Sequence, residues 1–231
     1  MGRIILLLVT VLAVFVMTWF CVEDEDKKEN GVSSGVTAFG DKVVSDGVRS
    51  VQVDENADCD KAYVTVVDLK DGGGSRIYGK GAQAALSGVH IDRAGTYILS
   101  GELTDGQIYV NAEEGVDLVL NGVKIKSSKG AALVATGGET RLILKENSEN
   151  YLSDADSYAN GEFTDGCVYA EKSLVIGGKG KLFINGNYAD GISCGEHLVI
   201  ESGEVRVVAV RNALYGKNAV LLNGGNVLLG A

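Results

Sequence analysis

Proline is absent from this chain of 231 residues, whereas glycine occurs 32 times. Without proline there is no proline-rich linker, and the many glycines suit a fold with numerous strands and tight corners. Tryptophan occurs once, at Trp19 in an apolar N-terminal segment, so the rest of the chain has no tryptophan for an aromatic surface. The composition therefore favours a β-rich fold whose aromatic contacts depend mainly on tyrosine.

Histidine, cysteine and positive charge are also scarce. The two histidines, His90 and His197, lie far apart, and no Cys/His zinc spacing, Ser-His-Asp order or nucleophile-elbow motif occurs. Cys167 and Cys194 are predicted to be buried free thiols that pack as small apolar residues. The net charge of −10 makes nucleic acid and anionic membrane surfaces poor partners. The sequence thus argues against nucleic-acid-binding proteins and the common hydrolases.

The first 22 residues form an apolar segment that has a basic residue near its start and is followed by an acidic run. Arg3 precedes the apolar run, and Glu23–Asp26 follow it. This pattern predicts export, with the body outside the cell or at its surface. A cleaved signal peptide, an uncleaved membrane anchor and lipidation at Cys21 are all consistent with it. Residues 23–60 are polar and are interpreted as a tether, so only the N-terminal segment would contact a membrane.

Five short apolar runs recur in the second half of the chain. They are separated by 24, 32, 24 and 22 residues, and they begin at Leu118, Leu142, Leu174, Leu198 and Val220. Three short strands per 22–24 residues, with glycine or asparagine at the corners, predict an all-β parallel β-helix solenoid over residues 61–231. The longest spacing is interpreted as a coil with an inserted polar loop, residues 150–163.

Acidic residues recur at similar places beside these runs. Asp165 and Asp190 each precede a glycine, and Glu171 and Glu196 each lie five residues after that glycine. Stacked coils lie about 4.8 Å apart, where two carboxylates repel each other unless a cation or a proton separates them. Calcium is the predicted ion because it prefers hard oxygen ligands, and Asp105 is a weaker match to the same pattern. The alternative is that Asp-Gly pairs only form tight turns.

Several motifs in the body run in a fixed order. They are Arg93–Gly101, Thr104–Val110, Leu118–Ile125, Ser148–Leu152 and Asp190–Ile192. As a set, they resemble the bacterial carbohydrate-binding β-helix family that binds polygalacturonate and cellulose. The resemblance covers about residues 60–231. It implies a right-handed parallel β-helix, an extracellular location, association with calcium, and binding without cleavage. Because the chain ends inside a predicted coil, two expectations remain open: part of the binding face is missing, or another chain covers this edge and forms an oligomer.

Tyrosine and asparagine supply the candidate sugar contacts. Tyr158 lies on the inserted loop, and Tyr188 lies at a corner beside Asn187. These three residues are predicted to bind carbohydrate, although each tyrosine could equally be a packing residue with its hydroxyl in water. The predicted function is calcium-assisted, non-catalytic binding of acidic or cellulosic polysaccharide.

Two other functions remain open at this point. A polysaccharide lyase could use the same scaffold with calcium and a basic residue as the proton abstractor. The bases conveniently placed for this in the late coils are Arg206, Arg211 and Lys217. A passive surface stalk or adhesin without sugar specificity is the third possibility.

Overall fold

The computed structural model describes residues 64–158 and 164–231, which contain 19 β-strands and no helix. The all-β prediction is therefore confirmed. The strands are β1 (Val64–Leu69), β2 (Arg76–Tyr78), β3 (Ala82–Ala85), β4 (Gly88–Ile91), β5 (Gly95–Leu103), β6 (Gln107–Val110), β7 (Val116–Lys126), β8 (Leu133–Ala135), β9 (Thr140–Leu144), β10 (Glu149–Ser153), β11 (Gly166–Ala170), β12 (Leu174–Gly178), β13 (Lys181–Gly186), β14 (Asp190–Cys194), β15 (His197–Ile200), β16 (Glu204–Ala209), β17 (Leu214–Gly216), β18 (Ala219–Leu222) and β19 (Asn226–Gly230).

The predicted leader, residues 1–22, and the predicted tether, residues 23–60, lie outside the described residues. Within the part of the chain that the structure describes, no helix is long and apolar enough to cross a membrane.

The strands form two sheets. The main path of the larger, 12-stranded sheet runs β18-β15-β12-β9-β7-β10-β13-β16-β19, and β5, β1 and β2 extend it from β7. The smaller, 7-stranded sheet has the order β17-β14-β11-β8-β6-β4-β3. Among the described strand pairs, β1–β2 and β3–β4 are antiparallel, and the others are parallel. The smaller sheet is therefore mixed.

Strand β7 joins two rows of strands into one curled sheet. Its first half pairs with β9 and its second half pairs with β10, with a bend at Gly122, whose φ is +77°. The side chain of Asn150 stabilises this bend: its Oδ1 accepts hydrogen bonds from the backbone N–H groups of Gly122 at 2.9 Å and Val123 at 3.0 Å. Without this acceptor the buried Val123 N–H would have no hydrogen-bond partner. The sheet therefore turns the corner without being interrupted.

This topology corrects the predicted fold. The right-handed parallel β-helix with coils of 22–24 residues is wrong, because the strands form one curled sheet and one mixed sheet. The prediction treated every glycine corner as the end of a strand. At Gly122 the strand continues instead, because the Asn150 amide replaces the backbone partners that a bend would lose.

The core consists of apolar rows contributed by both sheets. Alternating residues of paired strands point the same way, so a row of inward side chains crosses each sheet. One row of the larger sheet contains Leu118, Leu142, Ile176 and Ile200, all 0% exposed. A row of the smaller sheet contains Ile108, Leu133, Val168 and Ile192, and both rows belong to one hydrophobic cluster. Each such side chain contributes roughly 1.5–3 kcal/mol through burial.

Cys167 and Cys194 are free and buried, as predicted. Burial raises the pKa of both thiols, so neither is poised to react as a thiolate.

Candidate functional site

The turn after β10, the start of β11, the β13–β14 connection and the residues after β16 contact one another and form one polar cluster. We call this cluster the β13–β14 corner. It contains Asp154, Tyr158, Asp165, Asn187, Tyr188, Asp190, Ser193 and Arg211. Most of the residues predicted from the sequence to bind sugar or metal therefore lie in one place.

Asp154 is the buried centre of one half of the corner. It is 2% exposed, and its Oδ1 accepts a hydrogen bond from the Asn187 backbone N–H at 2.5 Å. Its Oδ2 accepts a hydrogen bond from the Tyr158 hydroxyl at 2.7 Å. The Asn187 amide nitrogen donates in turn to the Asp154 carbonyl oxygen at 2.8 Å. Burial raises the pKa of Asp154, while the hydrogen bonds from Asn187 and Tyr158 oppose that shift. These bonds fix the backbone at Asn187, immediately before Tyr188.

The two predicted tyrosines stack on each other. Their ring centroids lie 4.3 Å apart with an interplanar angle of 23°. The Gly166 carbonyl oxygen lies 3.0 Å from the Tyr158 hydroxyl, so the single hydroxyl proton is shared between Asp154 and Gly166 and the hydroxyl end of Tyr158 is fixed. Tyr188 is 44% exposed. Tyr158 therefore supports the stack, and Tyr188 is the aromatic side chain that an external ligand can reach.

Asp165 and Asp190 lie close together but are one residue out of register. The strands align at a spacing of 24 residues, so Gly166, not Asp165, is the partner of Asp190. A shift of one residue along a strand reverses the direction of the side chain. Accordingly, Asp190 is fully buried, whereas the Asp165 side chain is 42% exposed.

The Arg211 guanidinium lies between these two carboxylates. Its Nε donates to Asp190 Oδ1 at 2.8 Å, and its Nη2 donates to Asp190 Oδ2 at 2.8 Å. Nη2 also forms an ion pair with Asp165 Oδ2. The Asn212 backbone N–H and side-chain amide donate to Asp190 Oδ1 at 3.0 and 2.9 Å, and Ser193 Oγ donates to Asp165 Oδ1 at 2.8 Å. Hydrogen bonds to Asp190 and then Asp165 raise the pKa of Arg211.

This arrangement does not fit a calcium ion between Asp165 and Asp190. The positive charge that the sequence pattern requires there is supplied by Arg211, and both Asp190 oxygens already accept hydrogen bonds. Within residues 64–158 and 164–231, no group of three or more His, Cys, Asp or Glu side chains could hold a metal ion.

The other predicted calcium ligands have separate contacts. The same 24-residue alignment places Glu171 beside Gly195 rather than beside Glu196. Glu196 accepts hydrogen bonds from Lys172 Nζ at 3.4 Å and Ser173 Oγ at 3.2 Å.

Asp105 lies at a different corner. It accepts a hydrogen bond from the Ser128 backbone N–H at 2.9 Å. Hydrogen bonding with Ser128 lowers its pKa. Asp105 therefore stabilises the connection that follows β7.

The other two candidate lyase bases, Arg206 and Lys217, have contacts different from those of Arg211. Arg206 forms an ion pair with Glu204 at 2.6 Å, and its guanidinium carbon lies 5.7 Å from the centroid of the Phe183 ring. Lys217 is exposed in the turn between β17 and β18, where its backbone N–H donates to the Cys194 carbonyl oxygen at 3.0 Å.

Sequence reasoning missed Asp154 and the pairing role of Arg211. Arg211 lies 21 residues after Asp190 and 46 residues after Asp165. These separations are close to one and two strand-to-strand spacings in the smaller sheet. An arginine at those distances from two aspartates is a signal for a shared corner.

A family model and a sequence relative carry the same description. A carbohydrate-binding domain-containing protein from Acetivibrio thermocellus is 34% identical over an alignment of 131 residues, and the match covers 52% of this chain and 45% of that protein. The chain thus spans less than half the length of that relative. The solved structure of a polysaccharide lyase-like protein from C. thermocellum, a gadolinium derivative, is similar with a TM-score of 0.68 and 28% identity. That likeness covers 72% of this chain and 70% of the other. The family described as "Carbohydrate-binding domain-containing protein" matches residues 86–231, and the chain belongs to this family.

Proposed function

We propose that this protein is an extracellular module that binds acidic or cellulosic polysaccharide without cleaving it. The observation that carries the proposal is the exposed Tyr188 ring, which is stacked on Tyr158 and held in place by the hydrogen bonds around Asp154. A sugar ring has an apolar face that packs on an aromatic ring and hydroxyls that need polar partners. The corner offers both kinds of contact on a rigid support.

The state of the basic residues supports binding without turnover. A lyase needs a base that can accept a proton from the sugar. Arg211 is the basic residue closest to the carboxylates, but its two aspartate partners raise its pKa and favour the charged form. Arg206 forms an ion pair with Glu204, and its guanidinium lies over the Phe183 ring. Arg211 therefore stabilises the two carboxylates as a cation and does not act as a proton acceptor.

Calcium assistance is retained as a proposal for the other carboxylates. Asp105, Glu171 and Glu196 are exposed or partly exposed and are not bridged by arginine in the described part of the chain. If calcium binds there in the folded state only, it raises the melting temperature by linkage. A melting temperature that is the same in calcium and in excess chelator would contradict this part of the proposal.

Export and self-association are also retained as proposals. The apolar segment with its basic start supports export, and the body would then lie outside the cell or at its surface. The edge strands β18 and β19 expose large apolar side chains, including Leu222 at 53% and Leu228 at 62%. An uncovered strand edge of this kind can pair with another chain.

The direct test is binding of the full chain to immobilised cellulose and polygalacturonate, each in calcium and in chelator. Tyr188→Ala should weaken binding, because it removes the exposed ring of the corner. Tyr78→Ala is the matched control, because Tyr78 is 60% exposed on β2 at the antiparallel end of the larger sheet. If Tyr188→Ala and Tyr78→Ala bind equally well, the corner does not contact the sugar.

A polysaccharide lyase is the second candidate, because the structural relative is described as polysaccharide lyase-like. Incubation with polygalacturonate and calcium tests it through the ultraviolet absorbance of the unsaturated product. We expect no increase in absorbance. An increase that disappears in Arg211→Lys would establish the lyase instead.

A further inference from the structure

Aromatic side chains cross the outer face of the smaller sheet in one register. Paired strands place six residues side by side, in the order His90, Tyr109, Val134, Tyr169, Ser193 and Tyr215. We call these six residues the tyrosine row. The residues before and after them, such as Val168 and Ile108, point into the core and are 0% exposed. The row therefore lies on the face of the sheet opposite the core.

Large and small residues alternate along most of this row. Val134 stands between Tyr109 and Tyr169, and Ser193 stands between Tyr169 and Tyr215. The two small residues are 4% and 3% exposed. Tyr109 and Tyr169 are partly exposed, and Tyr215 is 44% exposed. Val134 and Ser193 are almost fully covered, so the partly exposed tyrosine rings provide the aromatic surface of the row. At one end of the row the Tyr109 ring also contacts the His90 ring, with 5.4 Å between centroids.

The tyrosines recur every second strand. Two strand spacings amount to about 9.6 Å. This distance is close to the length of two pyranose rings joined by an extended 1,4-linkage. A linear glycan that crosses the strands would therefore meet an equivalent tyrosine once per disaccharide.

Hydrogen-bonding groups follow the row on one side. The Tyr109 hydroxyl lies 3.1 Å from Thr136 Oγ1, which donates to Asn111 Oδ1 at 3.3 Å. Beyond the row the Glu171 backbone N–H donates to the Ala135 carbonyl oxygen at 2.7 Å, so the Glu171 carboxylate follows the row on the same side as Thr136. Hydroxyl and amide groups of this kind can exchange hydrogen bonds with sugar hydroxyls.

The local charge favours a neutral glycan. Asp165 lies beside the row, because Ser193 Oγ donates to its Oδ1 at 2.8 Å, and burial together with the carboxylates of Glu171 and Asp165 raises the pKa of Tyr169. Arg211 supplies one positive charge to the two carboxylates Asp165 and Asp190, so this group of three side chains keeps a net negative charge. An acidic sugar would be repelled at this face.

A second aromatic surface on the larger sheet has a different geometry. Tyr151 and Phe183 lie on adjacent strands and stack on each other at 4.7 Å with an interplanar angle of 10°. Arg206 lies over the Phe183 ring. These rings cover one another, so they offer fewer open faces than the spaced tyrosines of the smaller sheet.

We propose that the tyrosine row binds a neutral, extended, 1,4-linked polysaccharide that runs across the strands, with one tyrosine for each disaccharide unit. This inference rests on the proposed carbohydrate-binding function and adds the face, the direction of the glycan and its repeat. The β13–β14 corner adjoins the row, because Ser193 of the row donates a hydrogen bond to Asp165 of the corner.

The test is calorimetric titration of the full chain with β-1,4-linked gluco-oligosaccharides, from the disaccharide to the hexasaccharide, in chelator. Affinity should rise with each added disaccharide and be highest for the hexasaccharide. Tyr169→Ala removes the central ring and should lower hexasaccharide affinity by about tenfold or more. Tyr169→Phe retains the ring and should retain most of the affinity, and Tyr78→Ala should bind as the wild type does. Circular dichroism confirms that each variant is folded.

The outcomes separate this inference from the function on which it rests. If the chain binds cellulose or polygalacturonate but Tyr169→Ala and Tyr215→Ala behave like Tyr78→Ala, the tyrosine row is not the site. The inference also fails if Tyr151→Ala alone weakens hexasaccharide binding, or if only oligogalacturonides bind. If no polysaccharide binds, the proposed function fails together with it.

Discussion

Removal of Arg211 tests whether the ion pair at the β13–β14 corner stabilises the fold. Asp190 is 0% exposed and accepts four hydrogen bonds, two from Arg211 and two from Asn212. Arg211→Met keeps much of the side-chain volume but leaves the buried carboxylate without its positive partner. Loss of one partner of a buried ion pair costs about 3–5 kcal/mol.

The expected loss lies near the lower end of that range. The Arg211 side chain is 52% exposed, so water can reach part of the space it leaves. The two hydrogen bonds from Asn212 to Asp190 also remain. We therefore expect Arg211→Met to lower the free energy of unfolding by about 3 kcal/mol at neutral pH. In an Asp190→Asn background the same change should cost less, because no buried charge is then left unpaired.

Arg206→Met is the matched control. The Arg206 side chain is 50% exposed and pairs with Glu204, whose side chain is 25% exposed. An exposed ion pair contributes about 0–1 kcal/mol, and the contact with the Phe183 ring adds about 0.5–1 kcal/mol. Urea unfolding followed by far-ultraviolet circular dichroism measures both variants. Equal free energies of unfolding for Arg211→Met and Arg206→Met would refute the argument.

Three further predictions concern the fold and its pH dependence. Asn150→Leu should lower stability by about 1–3 kcal/mol, because it removes the hydrogen-bond acceptor of the buried Val123 N–H and of the part-buried Gly122 N–H at the bend; near-wild-type urea unfolding would contradict this. Gly178→Ala should cost more than Gly122→Ala in the same assay, although φ is positive at both. An added Cβ lies 2.2 Å from the Leu144 carbonyl oxygen at Gly178 but meets nothing within 4 Å at Gly122. Because burial raises the pKa of Asp154, its protonated form is favoured by folding, and its contribution to stability falls as pH rises from the ordinary aspartate pKa through the raised one. Urea unfolding across the acidic range should therefore show that the stability of the wild type relative to Asp154→Asn falls as pH rises, and a constant difference would contradict this.

The all-β fold could be predicted because short alternating apolar runs leave few other ways to bury their side chains. The inward positions followed from alternation alone, and residues such as Val205 and Val207 are 0% exposed. The sheet topology could not be predicted in the same way. Whether Gly122 ends a strand or bends it depends on Asn150, a side chain 28 residues away that supplies the missing acceptor.

Several residues of the β13–β14 corner were predicted from the sequence, but the contacts that their side chains make with each other were not. Tyr158, Tyr188 and Asn187 meet around Asp154, although Asp154 itself gave no signal in the sequence. Asp165 and Asp190 were aligned by their following glycines, which lie 25 residues apart, whereas the strands align at 24. One residue of offset decides which carboxylate is buried, and it allows Arg211 to lie between them.

The central claim is that the chain binds polysaccharide without cleaving it. The most direct measurement incubates the full chain with soluble linear cellulosic and polygalacturonate polysaccharides, and records both saturable binding and the length of the polysaccharide over time. The account predicts saturable binding that Tyr188→Ala weakens and Tyr78→Ala does not, with the length of the polysaccharide unchanged. Absence of binding to every polysaccharide, or shortening of the polysaccharide during incubation, would contradict it.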